Sequence, residues 1–250
     1  MFRFFDYVNW FVKAFIQRKS SPFCSVIYIG NKSNRDIFEE LKYCYKAGSR
    51  IVRFAGNVLE WTSDSFRFND IVARAKKMGF HSVEAFWNGI EKLDTKADIV
   101  WFYPNSEQLE LFFRNSENKD SNLIKYIANW NKKNINILYQ IDKFNYTKIE
   151  DLLKFCAGNP NIQSVAFSFC SSISMQNLLS NDLKYLIIDK LIEFKHSGYP
   201  VYNSFGALFY ERKSEVLLPR YSIIYIDNEG TKSLIPTYSP LRPVFIPTDQ

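Results

Sequence analysis

The sequence predicts an α/β protein whose mainly parallel sheet curls into a partial, TIM-like (β/α) barrel. Short apolar strands and amphipathic helices alternate six times along the 250 residues. This alternation is typical of a parallel sheet covered by helices. The turns between the elements are short, and right-handed crossovers curl such a sheet towards a barrel.

The predicted strands are short apolar runs, several of which end in a turn signal. The clearest is Ile51–Phe54, which is followed by a tight turn through Ala55 and Gly56. The predicted strands, in chain order, are Cys24–Gly30, Ile51–Phe54, Ser82–Phe86, Asp98–Phe102, Ile135–Ile141, Gln163–Phe169 and the short Pro200–Asn203.

The predicted helices carry apolar residues at intervals of three and four. A capping box, Thr147-x-x-Glu150, is expected to open one of them. The connection Asn105–Lys119 is polar and is predicted to be a loop. The predicted helices between the strands are Arg35–Ala47, Phe66–Met78, a helix that is capped by Asp120 or Ser121 and runs through Lys133, Thr147–Ala157 and Asp182–His196.

Three segments are predicted from this pattern. Residues 1–20 hold an amphipathic helix, Phe2–Gln17, which either covers the main domain or contacts a membrane through its phenylalanine-rich face. Residues 21–211 form the partial barrel. Residues 212–250 hold a hairpin, from Ser222–Asp227 and Thr231–Pro236, and an irregular tail.

Composition limits the possible functions. The net charge of +6 includes no long lysine or arginine run, so a nucleic-acid partner is not expected. No apolar run reaches the roughly 20 residues of a spanning helix. The four cysteines are far apart in sequence, which is typical of buried thiols in a reduced, cytoplasmic protein. The two histidines have no metal-ligand spacing, so no metal site is expected.

Several short segments follow one another at the spacing of the predicted strands: K-A-G-S-R-I-V-R-F-A-G-N-V-L at Lys46–Leu59, W-N-G at Trp87–Gly89 and S-V-A-F-S-F at Ser164–Phe169. In order and spacing they resemble the core of the radical SAM superfamily. The segment Ile188–Ser204 is similar to the subgroup that contains the hopanoid adenosylating enzyme. The resemblance covers about Ser25 to Gly230 and implies a radical-SAM-type partial barrel.

The residues that would carry the family's chemistry are missing. Radical SAM enzymes hold a [4Fe–4S] cluster with three close cysteines, typically C-x-x-x-C-x-x-C, after the first strand. Here Ile29–Asn34 follows that strand and contains no cysteine. Ala55-Gly56-Asn57-Val58 stands where the family has a G-G-E-P-like loop, so an amide replaces the carboxylate. The resemblance therefore implies a degenerate member in which a cluster is not expected.

Barrel enzymes place their sites where the strands end. The resemblance implies S-adenosylmethionine (SAM) contacts at Ala55, Gly56, Asn57, Asn145 and Ser168. The remaining polar and aromatic residues predicted at this rim are Glu60, Trp87, Asn88, Tyr103, Asp142 and Asn203. The alternative interpretation is that these are ordinary loop residues.

Three functions remain open from the sequence. The first is a non-catalytic binding or accessory protein that partners another protein or holds a small molecule. The second is an enzyme that still uses the barrel pocket, either by binding SAM or by radical chemistry with unusual ligands. The third is a peripheral membrane protein that docks through Phe2–Gln17.

Overall fold

The computed structural model of the chain describes residues 22–113, 121–169, 179–213 and 221–237, with Val8 and Val12 as isolated positions. The predicted helix Phe2–Gln17, the tail after Thr237 and Cys170 lie outside the described residues. All structural statements below refer to the described residues.

The described residues form ten strands and seven α-helices. The strands are β1 (Cys24–Tyr28), β2 (Ile51–Ala55), β3 (Thr62–Ser63), β4 (Phe66–Arg67), β5 (Ser82–Trp87), β6 (Ile99–Phe102), β7 (Ile135–Ile141), β8 (Ile162–Phe169), β9 (Tyr221–Ile226) and β10 (Lys232–Thr237). The helices are α1 (Asn34–Lys46), α2 (Phe68–Met78), α3 (Ser106–Phe113), α4 (Asn122–Ala128), α5 (Ile149–Ala157), α6 (Asn181–His196) and α7 (Phe205–Lys213).

Eight of these strands form one mostly parallel sheet, as expected for the predicted α/β class with a partial TIM-like fold. The chain divides into two compact units. Among the described residues, the first comprises 22–87, 94–100 and 221–237, and the second comprises 88–93, 101–113, 121–169 and 179–213.

The first unit carries the strand order β10-β9-β1-β2-β5. Strand β1 pairs in parallel with β2 on one side and with β9 on the other, and β10 pairs antiparallel with β9. Helices α1 and α2 pack against one face of this sheet. Their shared core consists of Ile27, Val52 and Phe54 from the strands, and Ile37, Leu41, Cys44, Ile71, Val72 and Ala75 from the helices.

The other face of these strands holds a buried ion pair inside an otherwise apolar cluster. Arg53 on β2 lies opposite Glu84 on β5, and its Nε is 2.6 Å from Glu84 Oε2. Both side chains are almost fully buried. The Ser82 hydroxyl donates to the second carboxylate oxygen, Oε1, at 3.2 Å. The strand register therefore places two opposite charges side by side, so that each neutralises the other.

The second unit is built on the parallel pair β7 and β8. Tyr139 and Phe167 meet edge to face between these strands. Phe112 of α3 stacks on Phe155 of α5, with ring centroids 4.4 Å apart. The predicted strand Pro200–Asn203 is instead one isolated parallel bridge at Val201.

Helix α3 lies within a segment that the sequence analysis predicts to be a loop, and that prediction is wrong. Asn105 and Gln108 cap each other, because each side-chain oxygen accepts a hydrogen bond from the other residue's backbone N–H, at 2.8 and 3.0 Å. Phe112 is buried. The glutamates of this helix obscured its apolar face in the sequence.

Three predicted helix boundaries also differ. Helix α4 ends at Ala128 instead of Lys133, where the Asn161 amide donates to the carbonyls of Ile127 and Ala128. The predicted Thr147 capping box is absent: α5 starts after a 3-10 turn, and its N-cap residue makes no side-chain cap bond. Residues 62–67 form the small β3–β4 hairpin, so α2 begins at Phe68.

Candidate functional site: polar groups where the strands end

In the first unit, an open depression of about 450 Å³ lies beyond the carboxyl ends of β1 and β2. We call it the mouth. It is lined by residues 30–33 of the β1–α1 connection, by Asn57, and by residues 60–63. Of the predicted site residues, Asn57 and Glu60 line the mouth, and both are exposed.

Two glycines bring the β1 and β2 connections close together over the Tyr28 ring. Gly56 has φ +92°, and a Cβ there would lie 3.1 Å from the Gly30 backbone nitrogen and 3.4 Å from the Tyr28 ring. A Cβ on Gly30 would lie 2.9 Å from the same ring and 2.2 Å from Asn228 Oδ1. Tyr28 and Asn228 therefore occupy the space beside these turns.

Trp61 fixes the inner wall of the mouth. Its side chain is buried in the helix-facing core, and its indole N–H donates to the Lys32 carbonyl at 3.1 Å. The Lys32 ammonium is bound as well, because it donates to Glu40 Oε1 at 2.8 Å and both side chains are more than nine-tenths buried. Burial raises the pKa of Glu40, and the Lys32 hydrogen bond opposes that shift.

The remaining predicted residues of this unit do not line the mouth. Ala55 is buried, and its carbonyl accepts a hydrogen bond from the Ile29 backbone N–H at 2.9 Å. Trp87 ends β5 and is 2% exposed. These two residues stabilise the ends of their strands.

In the second unit, four polar side chains cluster after β6 and β7. The Tyr103 hydroxyl donates to Gln140 Oε1 at 3.0 Å, and the Asn145 amide donates to the Gln140 carbonyl at 2.9 Å. Asp142 Oδ1 accepts hydrogen bonds from the backbone N–H groups of Phe144 and Asn145. Asp142 Oδ1 and both polar atoms of the Asn145 amide are therefore used in local hydrogen bonds.

Two further predicted residues lie beside this cluster. Ser168 is on β8, and Asn203 follows the bridge residue Val201. Ser168 pairs in register with Gln140, and its buried hydroxyl has no hydrogen-bond partner among the described residues. The Asn203 side chain accepts from the Phe167 N–H and donates to the Phe167 carbonyl, as a neighbouring strand would.

Gln140, which links Tyr103 to Asn145, was not among the predicted site residues. The sequence feature that could have indicated it is a polar residue one position before the end of an apolar strand. Ser168 occupies the equivalent position on β8 and was selected. Asn88, also a predicted rim residue, forms its own turn: Oδ1 accepts from the Ile90 N–H and Nδ2 donates to Glu91.

The thiols of the described residues do not fit an iron–sulfur cluster. Cys24, Cys44 and Cys156 are free and buried. Burial raises the pKa of the Cys24 and Cys44 thiols to about 12, so the thiolate that iron requires is disfavoured. Residues 29–33, which join β1 to α1, contain no cysteine. The described ranges contain no group of three histidine, cysteine or carboxylate side chains placed to hold a metal ion.

Neither a family model nor a curated protein matches this sequence. Among solved structures, the chain is similar to the radical SAM enzyme SuiB of Streptococcus suis, solved bound to the precursor peptide SuiA. The TM-score is 0.53 at 14% identity over 90% of this chain and 62% of SuiB. This likeness shows that the chain shares the fold of SuiB.

A second structure is (S)-3-O-geranylgeranylglyceryl phosphate synthase of Thermoplasma acidophilum. It aligns over 82% of this chain and 96% of its own length, at 10% identity and a TM-score of 0.33, which supports no inference. Of the helices within the described ranges, none has the length and apolar character needed to cross a membrane.

Proposed function

We propose that this chain is a cluster-free protein of radical-SAM-like fold that acts as a binding or accessory partner and does not catalyse radical chemistry. It is a degenerate relative of the subgroup that resembles the hopanoid adenosylating enzyme. The chain spans 62% of the length of SuiB. SuiB's activity is not part of the proposal, because a fold does not imply a function.

The observation that carries the proposal is the short connection between β1 and α1. Strand β1 ends at Tyr28 and α1 starts at Asn34, with Ser33 as its N-cap. Three thiolates in a C-x-x-x-C-x-x-C loop would need eight residues, whereas five join these elements and none of the five is cysteine. A [4Fe–4S] cluster needs soft anionic ligands, and this connection supplies none.

The surroundings of the mouth support a role without SAM. Asn57 carries no charge to pair with an ammonium group, and the Lys32 ammonium is already bound to Glu40. Tyr28 occupies the space beside Gly30 and Gly56. In the other unit, Asp142 and Asn145 hydrogen-bond within their own turn. An aromatic side chain and satisfied polar groups favour an interaction role over a cofactor pocket.

The enzyme alternative, in which SAM still binds, is tested by isothermal titration calorimetry of the full chain with SAM. We expect no saturable heat up to about 1 mM SAM, which corresponds to a binding free energy weaker than about −4 kcal/mol. The variant Asn57→Glu, which restores a carboxylate at the mouth, is the matched comparison. Saturable one-to-one binding to the wild-type protein would contradict the proposal.

A further inference from the structure

A second depression, of about 810 Å³, runs along α1 in the first unit. One wall is the α1 surface from residue 36 to residue 46. The other is the turn after β9 with the start of β10, residues 228–232. We call it the α1–β10 groove. Two contacts hold its walls together: Gly230 lies against Glu40, and the Lys232 ammonium is 4.4 Å from the Tyr43 ring centroid.

Charge is segregated along this groove. Asp36, Glu39 and Glu40 line its first part, whereas Lys42 and Lys46 lie further along α1, and Lys42 is paired with Glu39 at 2.6 Å. Ten residues separate Asp36 from Lys46, which is about 15 Å along a helix. The helix dipole alone would account for an acidic first turn and a basic last turn on α1.

The opposite wall repeats the same polarity, which the dipole of α1 does not explain. Glu229 lies in the turn beside the acidic part, next to the residue that approaches Glu40. Lys232 lies further along, beside Tyr43. Lys32 is also at the acidic end, but its ammonium is bound to Glu40. Both walls of the groove are therefore acidic at one end and basic at the other.

Glu40 provides a second, independent indication of a ligand. The residue is 7% exposed and lines the groove. Its Oε1 accepts the Lys32 hydrogen bond, whereas Oε2 has no hydrogen-bond partner among the described residues. A buried carboxylate oxygen without a donor is costly, and a donor from a bound molecule would remove that cost.

We infer that the α1–β10 groove binds an extended segment of a partner protein with basic residues at one end and acidic residues at the other. An extended chain rises about 3.3 Å per residue, so the groove length corresponds to about five residues. The basic end faces Asp36 and Glu229, because Glu39 is already paired with Lys42, and a donor of the segment reaches Glu40. The acidic end faces Lys46 and Lys232. This inference rests on the proposed binding role and names the class of partner.

The test uses two fluorescein-labelled peptides of the same composition, measured by fluorescence polarisation with the full chain at low ionic strength. One has segregated charge, Arg-Arg-Gly-Gly-Glu-Glu, and the other has mixed charge, Arg-Glu-Gly-Gly-Arg-Glu. We expect the segregated peptide to bind about fivefold more tightly, with the difference shrinking at an ionic strength of about 0.15 M. Equal affinities, or no binding of either peptide up to about 1 mM, would overturn the inference.

Variants locate the binding to the groove. Lys46→Glu and Glu229→Lys reverse exposed charges at opposite ends, and each is expected to weaken binding of the segregated peptide about two- to fivefold. Lys77→Glu, on the exposed surface of α2, is the matched control and should leave the affinity unchanged. Lys46→Glu and Lys77→Glu change the net charge equally, so an effect of Lys77→Glu as large as that of Lys46→Glu would show that only net charge matters, which overturns the inference.

The buried pair is tested separately with Lys32→Met/Glu40→Gln, which removes both charges together and so leaves neither uncompensated. Thermal unfolding checks that this variant folds. Losing the carboxylate acceptor should weaken binding of the segregated peptide about tenfold. Unchanged affinity in the folded variant would exclude Glu40 from the site.

Peptide binding is independent of iron content. A protein that takes up a cluster yet binds the peptide would refute the proposed function and leave the inference about the groove standing.

Discussion

Replacing Arg53 with methionine is expected to lower the free energy of unfolding by about 3–5 kcal/mol, because it leaves the Glu84 carboxylate buried without its partner charge. The two side chains are 0% and 3% exposed, so water cannot compensate. Chemical denaturation followed by circular dichroism measures the loss. The destabilisation should be among the largest of any single replacement in the first unit.

A double replacement separates the charge effect from the packing effect. Arg53→Met/Glu84→Met removes both charges and keeps apolar volume between β2 and β5. Replacing both members of a buried ion pair is often neutral or stabilising. We therefore expect the double variant to regain most of the stability lost by Arg53→Met. If the double variant were as unstable as the sum of the two single variants, the pair would not be coupled.

Replacing Trp61 with alanine is the second large effect, with an expected loss of about 3–5 kcal/mol. Its ring is buried in the core shared with α1 and α2, and deletion leaves a cavity beneath the mouth. The loss is measured from the denaturation midpoint. A change below about 1 kcal/mol would show that the ring is not packed as described.

Trp61→Phe is the matched control for this site. It keeps an aromatic ring in the core and removes the indole N–H that donates to the Lys32 carbonyl. The expected loss is about 1–2 kcal/mol, mainly from the lost hydrogen bond. A phenylalanine variant as unstable as the alanine variant would assign the stabilisation to the hydrogen bond instead of to packing.

Local sequence patterns predicted the elements with strong apolar runs. Strand β7 has the predicted bounds, Ile135–Ile141, because its residues are mostly apolar, with three isoleucines, and only Asn136 and Gln140 interrupt the run. Helix α3 was missed because its glutamates obscure the apolar face on which Phe112 is buried, and the mutual capping of Asn105 and Gln108 is evident only from their hydrogen bonds. Helix α7 was also missed, and its polar and apolar residues show almost no helical segregation.

The candidate site was less predictable, because it depends on contacts between residues far apart in sequence. Asn57 and Glu60 line the mouth beyond the end of β2. The pairing of β9 with β1 brings Asn228 beside Gly30, and no local pattern indicates this. Likewise, Lys32 could be an exposed loop lysine by sequence, whereas the fold buries it against Glu40. Side-chain partners of this kind follow from the strand order and not from periodicity.

The most direct test of the central claim is the iron and acid-labile sulfide content of the full chain after anaerobic reconstitution, with an absorbance spectrum. We predict a colourless protein without bound iron, because residues 29–33 provide no thiolate. A brown protein with about four irons per chain, the content of one cubane cluster, would contradict the proposed function. Its ligands would then have to come from the four cysteines of the sequence.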